Sequence, residues 1–534
     1  MPIVETHKLS QSARQSTSDN LQTYCGLDCC VTMEVFEEIS AIPHHSSGIY
    51  AFERALQAPY LDIIRRGFLV DELSRQRIVN DPEIGLRPRL ARLQSLLDRL
   101  ASEVWDKRTK SSNGEWHALN PRSPAQLKDF FYSTMHLPEV WLSQKGVKKL
   151  STNREALEKL EVYLYARPFT SIILSIRDIS KQLEVLESDI DSDSRFRTSY
   201  NIAGTETGRP SSSTNAFGTG GNAQNIAPAL RSIFISDPGY KLCVIDLEQV
   251  EARDVGWFCG VLFDDWSYLD ACESGDLHTN NARRVCPERQ WTGVPHQDRK
   301  LAEEQFYREF SFRDMSKRGG HLTNYRGTAW MMSRALKIPI AVAEMFQARY
   351  VLGAPGIDPA FPCIPRWLQW TAEQIQLNGA LTTPFGRTRH FFGRPGDDAT
   401  IREAIAFLPQ STTADRMNLG LWRVWRYMPE VQLLAQTYDS ITFQYLESAN
   451  ESDIIGRALE LIRVELVAPN RPSYIVPGEA KIGWNWGACV TQSDIDRAKS
   501  EGKRPPRLNP EGLVKWKPGS DKRTRASGLG RIMI

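Results

Sequence analysis

A short apolar run that ends on a carboxylate is the feature that most limits how this chain can fold. Residues 242–245 read Leu-Cys-Val-Ile, and Asp246 follows them directly. A run of four apolar residues is typical of a buried strand. A carboxylate at the end of such a strand is costly to bury unless it is paired with a cation or bound to a metal. Asp246 is therefore a candidate site residue.

A second carboxylate lies in a similar context much later in the chain. The run LLAQTYDSITFQYL at 433–446 is strand-like and carries Asp439 in its middle. Each aspartate alone is explained equally well as a strand-end capping residue. As a pair they fit a two-metal phosphoryl-transfer site, which needs carboxylates held close together on rigid strands. That interpretation needs phosphate-binding cations as well.

The segment FRDMSKRGGHLTNYRG at 312–327 supplies such cations. Arg313, Lys317, His321 and Tyr325 recur every four residues, a spacing that places them on one face of a helix. They would form a line about 18 Å long, which suits a triphosphate followed by a sugar and a base. An ordinary amphipathic helix with a polar face is the alternative. The adjacent glycines at 319–320 predict that the helix needs a ligand or neighbours to order it.

Composition excludes few function classes. The 534 residues suggest three or four domain-sized units, and the net charge is only +2. Residues 497–534 contain eleven basic and three acidic residues, so this tail carries +8 and the remainder −6. The tail is equally consistent with tracking a phosphate backbone and with a solvated terminus. Nine scattered cysteines without disulfide spacing favour a reducing cytosol, and neither a zinc-site pattern nor a membrane span is visible.

The amino-acid composition and the predicted secondary structure change near residue 198. The first 190 residues are predicted to be mostly helical, with amphipathic segments at 24–39, 52–71, 86–105 and 171–190. A loop rich in Gly, Ser, Thr and Asn then precedes the Asp246 strand. Residues 260 to about 425 are again helix-rich, and 463–487 is predicted to be a strand pair with a turn.

Seven motifs resemble those of family A DNA polymerases, the class of bacterial DNA polymerase I and related phage replicases. In chain order they are KGVKKLSTNREALEKL (thumb), TETGRPSSS with NAQNIAP (template–primer segment), DLEQVEARDVGWF (first palm motif), RDMSKRGGHLTNYRG (fingers helix), REAIAFLPQSTTAD (fingers-to-palm segment), QTYDSITFQY (second palm motif) and GEAKIGWNW (palm hairpin). The matches run from about residue 52 to 486 in the order of the family.

The resemblance implies an α+β right-hand fold with an antiparallel palm sheet, a helical thumb and helical fingers. The expected domains are an exonuclease-like remnant at 1–50, a thumb at 51–195, a palm at 196–262 and 425–495, fingers at 263–424, and a basic tail at 496–534. The implied function is template-directed addition of deoxynucleotides to a primer 3′-hydroxyl, with primer–template DNA and dNTPs as partners and no membrane.

The resemblance also implies a role for each candidate residue. Two Mg²⁺ ions, replaceable by Mn²⁺, would be bound by Asp246, Asp439 and the carbonyl of Leu247. Lys317 would act in catalysis by neutralising or protonating the leaving pyrophosphate. The nucleotide would contact Leu247, Gln249, Glu251, Arg313, His321 and Tyr325, with Glu251 as a steric gate bonded to Tyr325. DNA would contact Arg209, Gln224, Asn225, Arg253, Arg402, Gln410 and Tyr438.

Three departures from the family pattern are visible. The second palm motif usually reads His-Asp-Glu but here reads Tyr438-Asp439-Ser440, so a third carboxylate is missing. His321 stands where Phe or Tyr is usual. The loop between Arg209 and Gln224 is longer than usual, and its FGTGG insert is predicted to be flexible, with a phosphate cradle as the weaker alternative.

The front of the chain lacks a complete 3′–5′ exonuclease motif set. Tyr24 and Asp28 resemble the late motif of that domain, but no Asp-x-Glu precedes them. The chain is therefore expected not to trim a mismatched 3′ end, and a separate exonuclease subunit or replisome proteins are expected partners. The Trp- and Arg-rich LWRVWRYMPE segment favours a phage setting, in the cytoplasm of a bacterial or phage-infected cell.

Two other functions compete with this one. A single-subunit RNA polymerase shares the palm, but Glu251 argues against it because a carboxylate under the sugar excludes ribose. A non-catalytic DNA-binding scaffold is disfavoured because the chain retains the whole set Asp246, Asp439, Arg313, Lys317 and Tyr325.

Overall fold

The computed structural model describes residues 18–41, 47–105, 119–144, 147–215, 217–274, 276–307, 310–353, 358–471, 473–502 and 505–519. The start of the predicted exonuclease-like remnant and the last fifteen residues of the basic tail lie outside these ranges. Among the described residues, no helix has the length and apolar character needed to cross a membrane. All nine cysteines are free, as their scattered spacing predicts.

Helices dominate the chain. They are α1 (Ser18–Ala41), α2 (Ser47–Arg66), α3 (Glu72–Asn80), α4 (Leu86–Ser102), α5 (Pro124–Lys128), α6 (Arg154–Leu160), α7 (Arg167–Leu186), α8 (Val250–Phe263), α9 (Ser267–Glu273), α10 (Leu277–Val285), α11 (Pro295–Ala302), α12 (Phe312–Asn324), α13 (Ala329–Leu336), α14 (Ile340–Val351), α15 (Cys363–Asn378), α16 (Asp398–Tyr427), α17 (Glu451–Ile462) and α18 (Gln492–Ser500). A π-helical turn (Asp129–Thr134) and 3₁₀ turns (Ala223–Asn225, Pro228–Ile233) connect them.

The strands are short apart from those of one sheet. They are β1 (Phe68–Val70), β2 (Trp141–Gln144), β3 (Val147–Leu150), β4 (Arg195–Phe196), β5 (Ser199–Asn201), β6 (Ser211–Ser213), β7 (Phe234–Ile235), β8 (Tyr240–Leu247), β9 (Gln305–Tyr307), β10 (Phe310–Ser311), β11 (Ala380–Thr382), β12 (Thr388–His390), β13 (Gln432–Thr437), β14 (Ser440–Leu446), β15 (Glu465–Leu466), β16 (Tyr474–Ile475), β17 (Gly478–Gly483) and β18 (Val514–Lys515).

A five-stranded antiparallel sheet, here called the palm sheet, forms the centre of the fold. Its strand order is β13-β14-β8-β17-β18. The predicted Asp246 strand is β8, the middle strand, and Leu242, Cys243 and Ile245 have no exposed surface. A central strand covered on both faces reads as a continuous apolar run, which is why the sequence signal was clear. The antiparallel sheet with surrounding helices confirms the predicted α+β class.

The prediction of one strand through Asp439 was wrong. Residues 432–446 form the β13–β14 hairpin, and Tyr438 and Asp439 are its two-residue turn. Tyr438 has φ = 55°, the left-handed conformation that such hairpin turns require. Glycine or asparagine usually marks this turn, so a tyrosine there left no signal between two β-prone segments.

Three buried clusters divide the molecule. The palm–fingers core contains Ile245 and Phe443 of the palm sheet together with Phe346 and Trp367 of the helices at 263–424. The thumb-base core joins Ile179 and Leu183 of α7 to Val244 and Leu434 of the palm sheet. The thumb core contains Leu97, Phe130, Leu157 and Ile173. The thumb core and the thumb-base core are continuous, because Leu90 and Leu93 pack against both clusters.

Helix α2, at the start of the predicted thumb, packs against the predicted palm. The Tyr60 hydroxyl donates to Asn418 Oδ1 at 2.9 Å, and the Trp425 indole donates to Asp62 at 2.6 Å. The Arg66 guanidinium donates to the Leu433 carbonyl on β13 at 3.0 Å. These contacts tie residues 47–66 to α16 and to β13.

The insert that is predicted to be flexible and part of the basic tail, for which a solvated terminus is one of two interpretations, both form defined contacts. The predicted flexible insert folds back on residues 189–197, because Thr219 Oγ1 donates to Asp191 at 2.6 Å and Gly220 N donates to the Asp189 carbonyl at 2.7 Å. Gly220 has φ = 70° and lies so close to the Arg197 carbonyl that a Cβ would clash with it. Part of the basic tail is also folded, since Lys515 lies in β18 and extends the palm sheet.

Candidate active site

The strand register brings Asp246 and Asp439 to one end of the palm sheet. Asp246 pairs with Ser440 across β8 and β14, so Asp439 lies one residue beyond that pair. The Leu247 amide donates to the Asp439 carbonyl at 3.0 Å. Both aspartates are half-buried. Backbone hydrogen bonds therefore fix the two residues side by side without help from their side chains.

Burial dominates the electrostatics of both carboxylates. Burial and the nearby charge of Asp439 raise the pKa of Asp246 to about 6, against an opposing effect from Lys481. Burial also raises the pKa of Asp439, and the charge of Glu251 adds to it. Raised carboxyl pKa values mean that burial and like charge outweigh the nearby cations. A bound divalent cation would relieve both effects.

The donor set fits Mg²⁺. Asp246 and Asp439 offer carboxylate oxygens, and Leu247, which offers a main-chain carbonyl, follows Asp246 at the same end of the palm sheet. Within the described residues, no group of three or more His, Cys, Asp or Glu side chains forms a closed metal cage. Mg²⁺ is commonly held by only one or two carboxylates, with water and substrate phosphates completing its octahedron. An open two-carboxylate site of this kind suits a metal shared with a phosphate substrate.

Glu251 is locked beside the two aspartates. Gln249 adopts φ = 52°, which turns the chain from β8 into α8 and places Glu251 in the first turn of that helix. Tyr325 donates to Glu251 Oε2 at 2.6 Å, and the Arg209 guanidinium donates to Oε1. The hydrogen bond to Tyr325 is the one that the sequence predicts. Gln249 Oε1 is buried without a hydrogen-bond partner in the described part of the chain.

Helix α12 carries the predicted cationic face. Its start is fixed by a capping box between Ser311 and Asp314. Gly319 and Gly320 allow close packing, because a Cβ would meet the Phe346 ring at 2.7 Å or the Asn281 amide at 3.0 Å. Neighbouring helices therefore order this segment, one of the two means that the sequence analysis expects.

The four predicted residues of α12 differ in their surroundings. Lys317 and His321 are exposed, whereas Arg313 pairs with Asp276 at 3.2 Å. Tyr325 lies just beyond the helix as its C-cap, and its ring centroid is 4.9 Å from that of His321. The helix thus ends at the residue that reaches Glu251, and this links α12 to the palm sheet.

His278 is a candidate residue that the sequence analysis missed. Its Nδ1 is buried and has no hydrogen-bond partner within the described ranges. Burial, Arg313 and Lys317 lower the pKa of His278 to about 4, so its imidazole is neutral beside the cationic face. His278 is on α10, in a different part of the sequence from α12. Only helix packing brings them together, so residue spacing could not reveal it.

Several predicted DNA contacts lie near this site. The Tyr438 hydroxyl donates to Asn225 Oδ1 at 2.8 Å, and the Arg209 guanidinium lies 5.8 Å from the Tyr438 ring centroid. Arg402 and Gln410 of α16 line a cavity of about 430 Å³, together with His321 and Tyr325. The half-buried Arg402 also pairs with Asp398. Glu251 links the two groups, because it accepts hydrogen bonds from both Arg209 and Tyr325.

Two predicted DNA contacts are inside the protein, and the predictions for them do not fit the structure. Gln224 is 7% exposed and donates to the Pro210 carbonyl at 3.0 Å. Arg253 is 6% exposed and donates to the Cys272 carbonyl at 3.4 Å. Both side chains hold neighbouring segments together. A motif gives the position of a residue in the chain but not the direction of its side chain.

Comparison with known proteins shows which family the chain belongs to. The model of "DNA polymerase family A" matches residues 89–487, about three quarters of the chain. The chain belongs to DNA polymerase family A. The fold with its antiparallel palm sheet is therefore the polymerase fold, as the motifs predict.

Curated relatives agree with this assignment. "DNA polymerase I, thermostable" of Thermus caldophilus is 27% identical over 390 residues, which cover 69% of this chain and 42% of that protein. DNA polymerase I of Helicobacter pylori is 26% identical over 355 residues, covering 63% of this chain and 34% of the relative. This family A chain thus spans about two fifths or less of these two relatives.

A solved structure supports the fold. The POL domain of Pol1 from M. smegmatis, in complex with DNA primer-template and dNTP, matches with a TM-score of 0.61. The match covers 81% of this chain and 69% of that chain at 21% sequence identity. At this identity the likeness establishes the shared polymerase fold alone.

Proposed function

We propose that this family A member is a DNA-directed DNA polymerase that adds deoxynucleotides to a primer 3′-hydroxyl. The observation that supports the proposal is the pairing of Asp246 with Ser440, which brings two carboxylates with raised pKa values to one end of the palm sheet. The hydrogen bond from Tyr325 to Glu251 connects this end to the cationic face of α12. A phosphate-transfer site needs both features.

The palm carboxylates are proposed to hold two Mg²⁺ ions with the Leu247 carbonyl. Bound there, the ions would supply Lewis acidity to the primer hydroxyl and to the phosphate being transferred. The role of Asp246 and Asp439 is to provide fixed anionic oxygens whose spacing is set by the backbone. Mn²⁺ offers the same charge and ligand preference, so it is proposed as a substitute.

The fingers residues are proposed to bind the triphosphate. Lys317 is exposed on α12 and can approach the phosphates as a mobile point charge that neutralises or protonates the leaving pyrophosphate. Arg313 has a competing partner in Asp276, so triphosphate binding would exchange a carboxylate for phosphate oxygens. The neutral imidazole of His278 adds a hydrogen-bond donor or acceptor without adding charge. His321 and Tyr325 form the continuation of this face toward the sugar and base.

Glu251 is proposed as the steric gate against ribose. One carboxylate oxygen accepts from Tyr325 and the other from Arg209, so the side chain is fixed from two directions. A carboxylate held in this position would occupy the space that a 2′-hydroxyl needs. It also cannot move aside without breaking a charge-assisted hydrogen bond. The same contact favours a DNA polymerase over the alternative of an RNA polymerase.

Primer–template DNA is proposed to lie along the cleft lined by Arg209, Asn225, Tyr438, Arg402 and Gln410. The polar side chains among them can reach minor-groove acceptors that all correct base pairs share, so they would test shape rather than sequence. Gln249 is proposed to meet the nucleotide or the primer end, since its buried Oε1 lacks a partner. Gln224 and Arg253 are left out because they are buried.

The phage setting, the separate exonuclease subunit and the absence of 3′–5′ trimming stay predictions of the sequence. The remaining alternative is a non-catalytic DNA-binding scaffold. The raised carboxyl pKa values argue against it, because a scaffold has no reason to keep two like charges half-buried side by side.

Primer extension by the purified chain tests the proposal. With a primed template, Mg²⁺ and four dNTPs, the expected result is template-directed elongation that stops when EDTA is added. Parallel reactions with four rNTPs should give little product. An intact, DNA-binding chain that extends no primer would establish the scaffold alternative, and equal extension with rNTPs would favour an RNA polymerase.

A further inference from the structure

Polar contacts join α6 of the thumb to α13 of the fingers. Lys337 Nζ lies 3.6 Å from Glu161 Oε2, the Arg334 guanidinium donates to the Glu155 carbonyl at 3.5 Å, and the Lys159 ammonium lies 4.6 Å from the Trp330 ring centroid. These six residues are called the bridge here. Each contact pairs a residue in or directly after α6 with one in or directly after α13.

The bridge closes a ring whose other two joints are apolar. The palm and the fingers share the palm–fingers core, and the palm and the thumb share the thumb-base core. The thumb core and the palm–fingers core have no buried residue in common. The bridge supplies a third joint of the ring, and water can reach its polar contacts.

Polar contacts of this kind are strong enough to hold the ring closed and weak enough to let it open. An exposed ion pair shifts an equilibrium by about fivefold at most, and a cation–π contact adds a similar factor. The Lys337 side chain is 66% exposed, so its pair with Glu161 belongs at the weak end of that range. The bridge as a whole therefore favours the closed ring by roughly tenfold to a hundredfold. Apolar cores do not separate so easily.

The bridge lies beside the proposed DNA cleft. Trp330 and Arg334 on α13 form bridge contacts, while Met331 and Ala335 on the adjacent face line the cavity that contains Arg402 and Gln410. Helix α13 is thus shared by the bridge and by the wall of the cleft. Movement of the thumb away from α13 would open the ring next to the residues proposed to contact DNA.

We propose that the bridge is a gate across the primer–template cleft. DNA held at the palm sheet is enclosed by the ring, and the bridge must open for a duplex to enter or leave sideways. This inference rests on the proposed polymerase function and adds a means of retaining the substrate. A weakened gate opens more often, so enclosed DNA escapes faster.

A charge swap separates a gate from a direct DNA contact. Lys337→Glu and Glu161→Lys both break the same ion pair, but they change the charge of the cleft in opposite directions. A gate predicts faster dissociation of DNA from both variants. A phosphate contact made by Lys337 predicts faster dissociation from Lys337→Glu and slower dissociation from Glu161→Lys.

The experiment measures dissociation of a fluorescent primer–template into excess unlabelled trap DNA at fixed ionic strength. The full chain and the two single variants are compared with Lys337→Glu/Glu161→Lys, which restores the pair with reversed polarity. We expect dissociation about threefold faster in each single variant and a return toward the parent rate in the double variant. Arg457→Glu, which breaks an exposed pair with Glu430 elsewhere on the palm, should leave the rate unchanged.

The outcomes are distinct. Opposite effects of the two single variants would overturn the gate and assign Lys337 to DNA contact. Unchanged dissociation in both, or failure of the double variant to restore the rate, would also overturn it. Extension by the parent is measured first, so a failure of the proposed function is detected before any gate variant is compared.

Discussion

The palm and fingers halves of the candidate site are built by different means. In the palm, strand register and the Leu247–Asp439 backbone hydrogen bond fix the carboxylates, which are half-buried and carry raised pKa values. On α12, Lys317 and His321 project into solvent. The backbone thus determines the geometry of the palm half, while side-chain rotamers determine that of the fingers half.

This difference indicates a division of labour. Fixed, poorly solvated carboxylates are suited to groups that must be in place before reaction, since their reorganisation is already complete. Solvated cations on a helix are suited to capturing a mobile triphosphate. Palm substitutions should therefore abolish chemistry while sparing DNA binding, whereas fingers substitutions should also weaken nucleotide binding.

The largest effect is expected from removing a palm carboxylate. Asp439→Asn or Asp246→Asn keeps the shape but loses an anionic ligand, so the single-turnover incorporation rate should fall about 10³-fold or more. Primer–template affinity should stay within about threefold of the parent, because neither aspartate is proposed to contact the DNA backbone. Ser440→Ala is the control and should retain the parent rate. Turnover near the parent rate in either asparagine variant would contradict the site.

Lys317→Ala should have the next largest effect. Losing a cation aimed at the phosphates is expected to slow incorporation about 10²-fold and to weaken dNTP binding, as measured by the dependence of single-turnover rates on dNTP concentration. Lys317→Arg should recover part of the rate because it keeps the charge. Lys300→Ala on α11 is the matched control. A change in rate without any change in nucleotide affinity would contradict the proposed division of labour.

Glu251→Ala should change the selectivity for deoxynucleotides over ribonucleotides. Opening the space under the nucleotide is expected to reduce discrimination against rNTPs roughly tenfold to a hundredfold. Competitive incorporation of dCTP and CTP opposite a single template guanine measures this ratio. Tyr325→Phe removes one hydrogen bond from Glu251 but keeps the carboxylate, so it should produce a smaller change of the same sign. Unchanged discrimination in Glu251→Ala would remove the gate assignment.

His321→Phe should alter recognition of the 3′ position of the nucleotide. The imidazole is exposed next to the Tyr325 ring and can form a hydrogen bond that phenylalanine cannot. We expect about a tenfold change in dideoxy-to-deoxy selectivity, equivalent to about 1.4 kcal/mol. Identical selectivity in the variant would show that His321 is only a spacer.

The smallest expected effect is on stability. Because folding raises the pKa of Asp246 to about 6, its contribution to stability is present below about pH 4 and is lost as the pH rises through 6. Without metal, Asp246→Asn should therefore increase the free energy of unfolding at pH 7 by about 1–2 kcal/mol, allowing for solvent screening. Urea unfolding at pH 4 and pH 7 measures this. An equal gain at both pH values would contradict the electrostatic explanation.

The sequence predicted those parts of the site that depend on local pattern. The apolar run before Asp246 marked the central strand, and four-residue spacing placed Arg313, Lys317 and His321 on one helix. The hydrogen bond between Glu251 and Tyr325 followed from the family resemblance. In each case the signal lies in one short segment or one motif.

The rest depends on tertiary packing. The turn at Asp439 was hidden because a tyrosine occupies the left-handed position between two β-prone segments. His278 reaches the site through the packing of α10 against α12. Gln224 and Arg253 carry the right residue types at the right motif positions but point into the protein. Side-chain direction and helix contact are set by the whole fold.

Metal binding tests the central claim most directly, namely that Asp246 and Asp439 act as one cation site. Electron paramagnetic resonance can count Mn²⁺ bound to the chain with a dideoxy-terminated primer–template and the next dNTP. The account predicts two Mn²⁺ ions per complex in the parent, with affinity at least tenfold weaker in both Asp246→Asn and Asp439→Asn. Parent-like binding of two ions by either variant would contradict it.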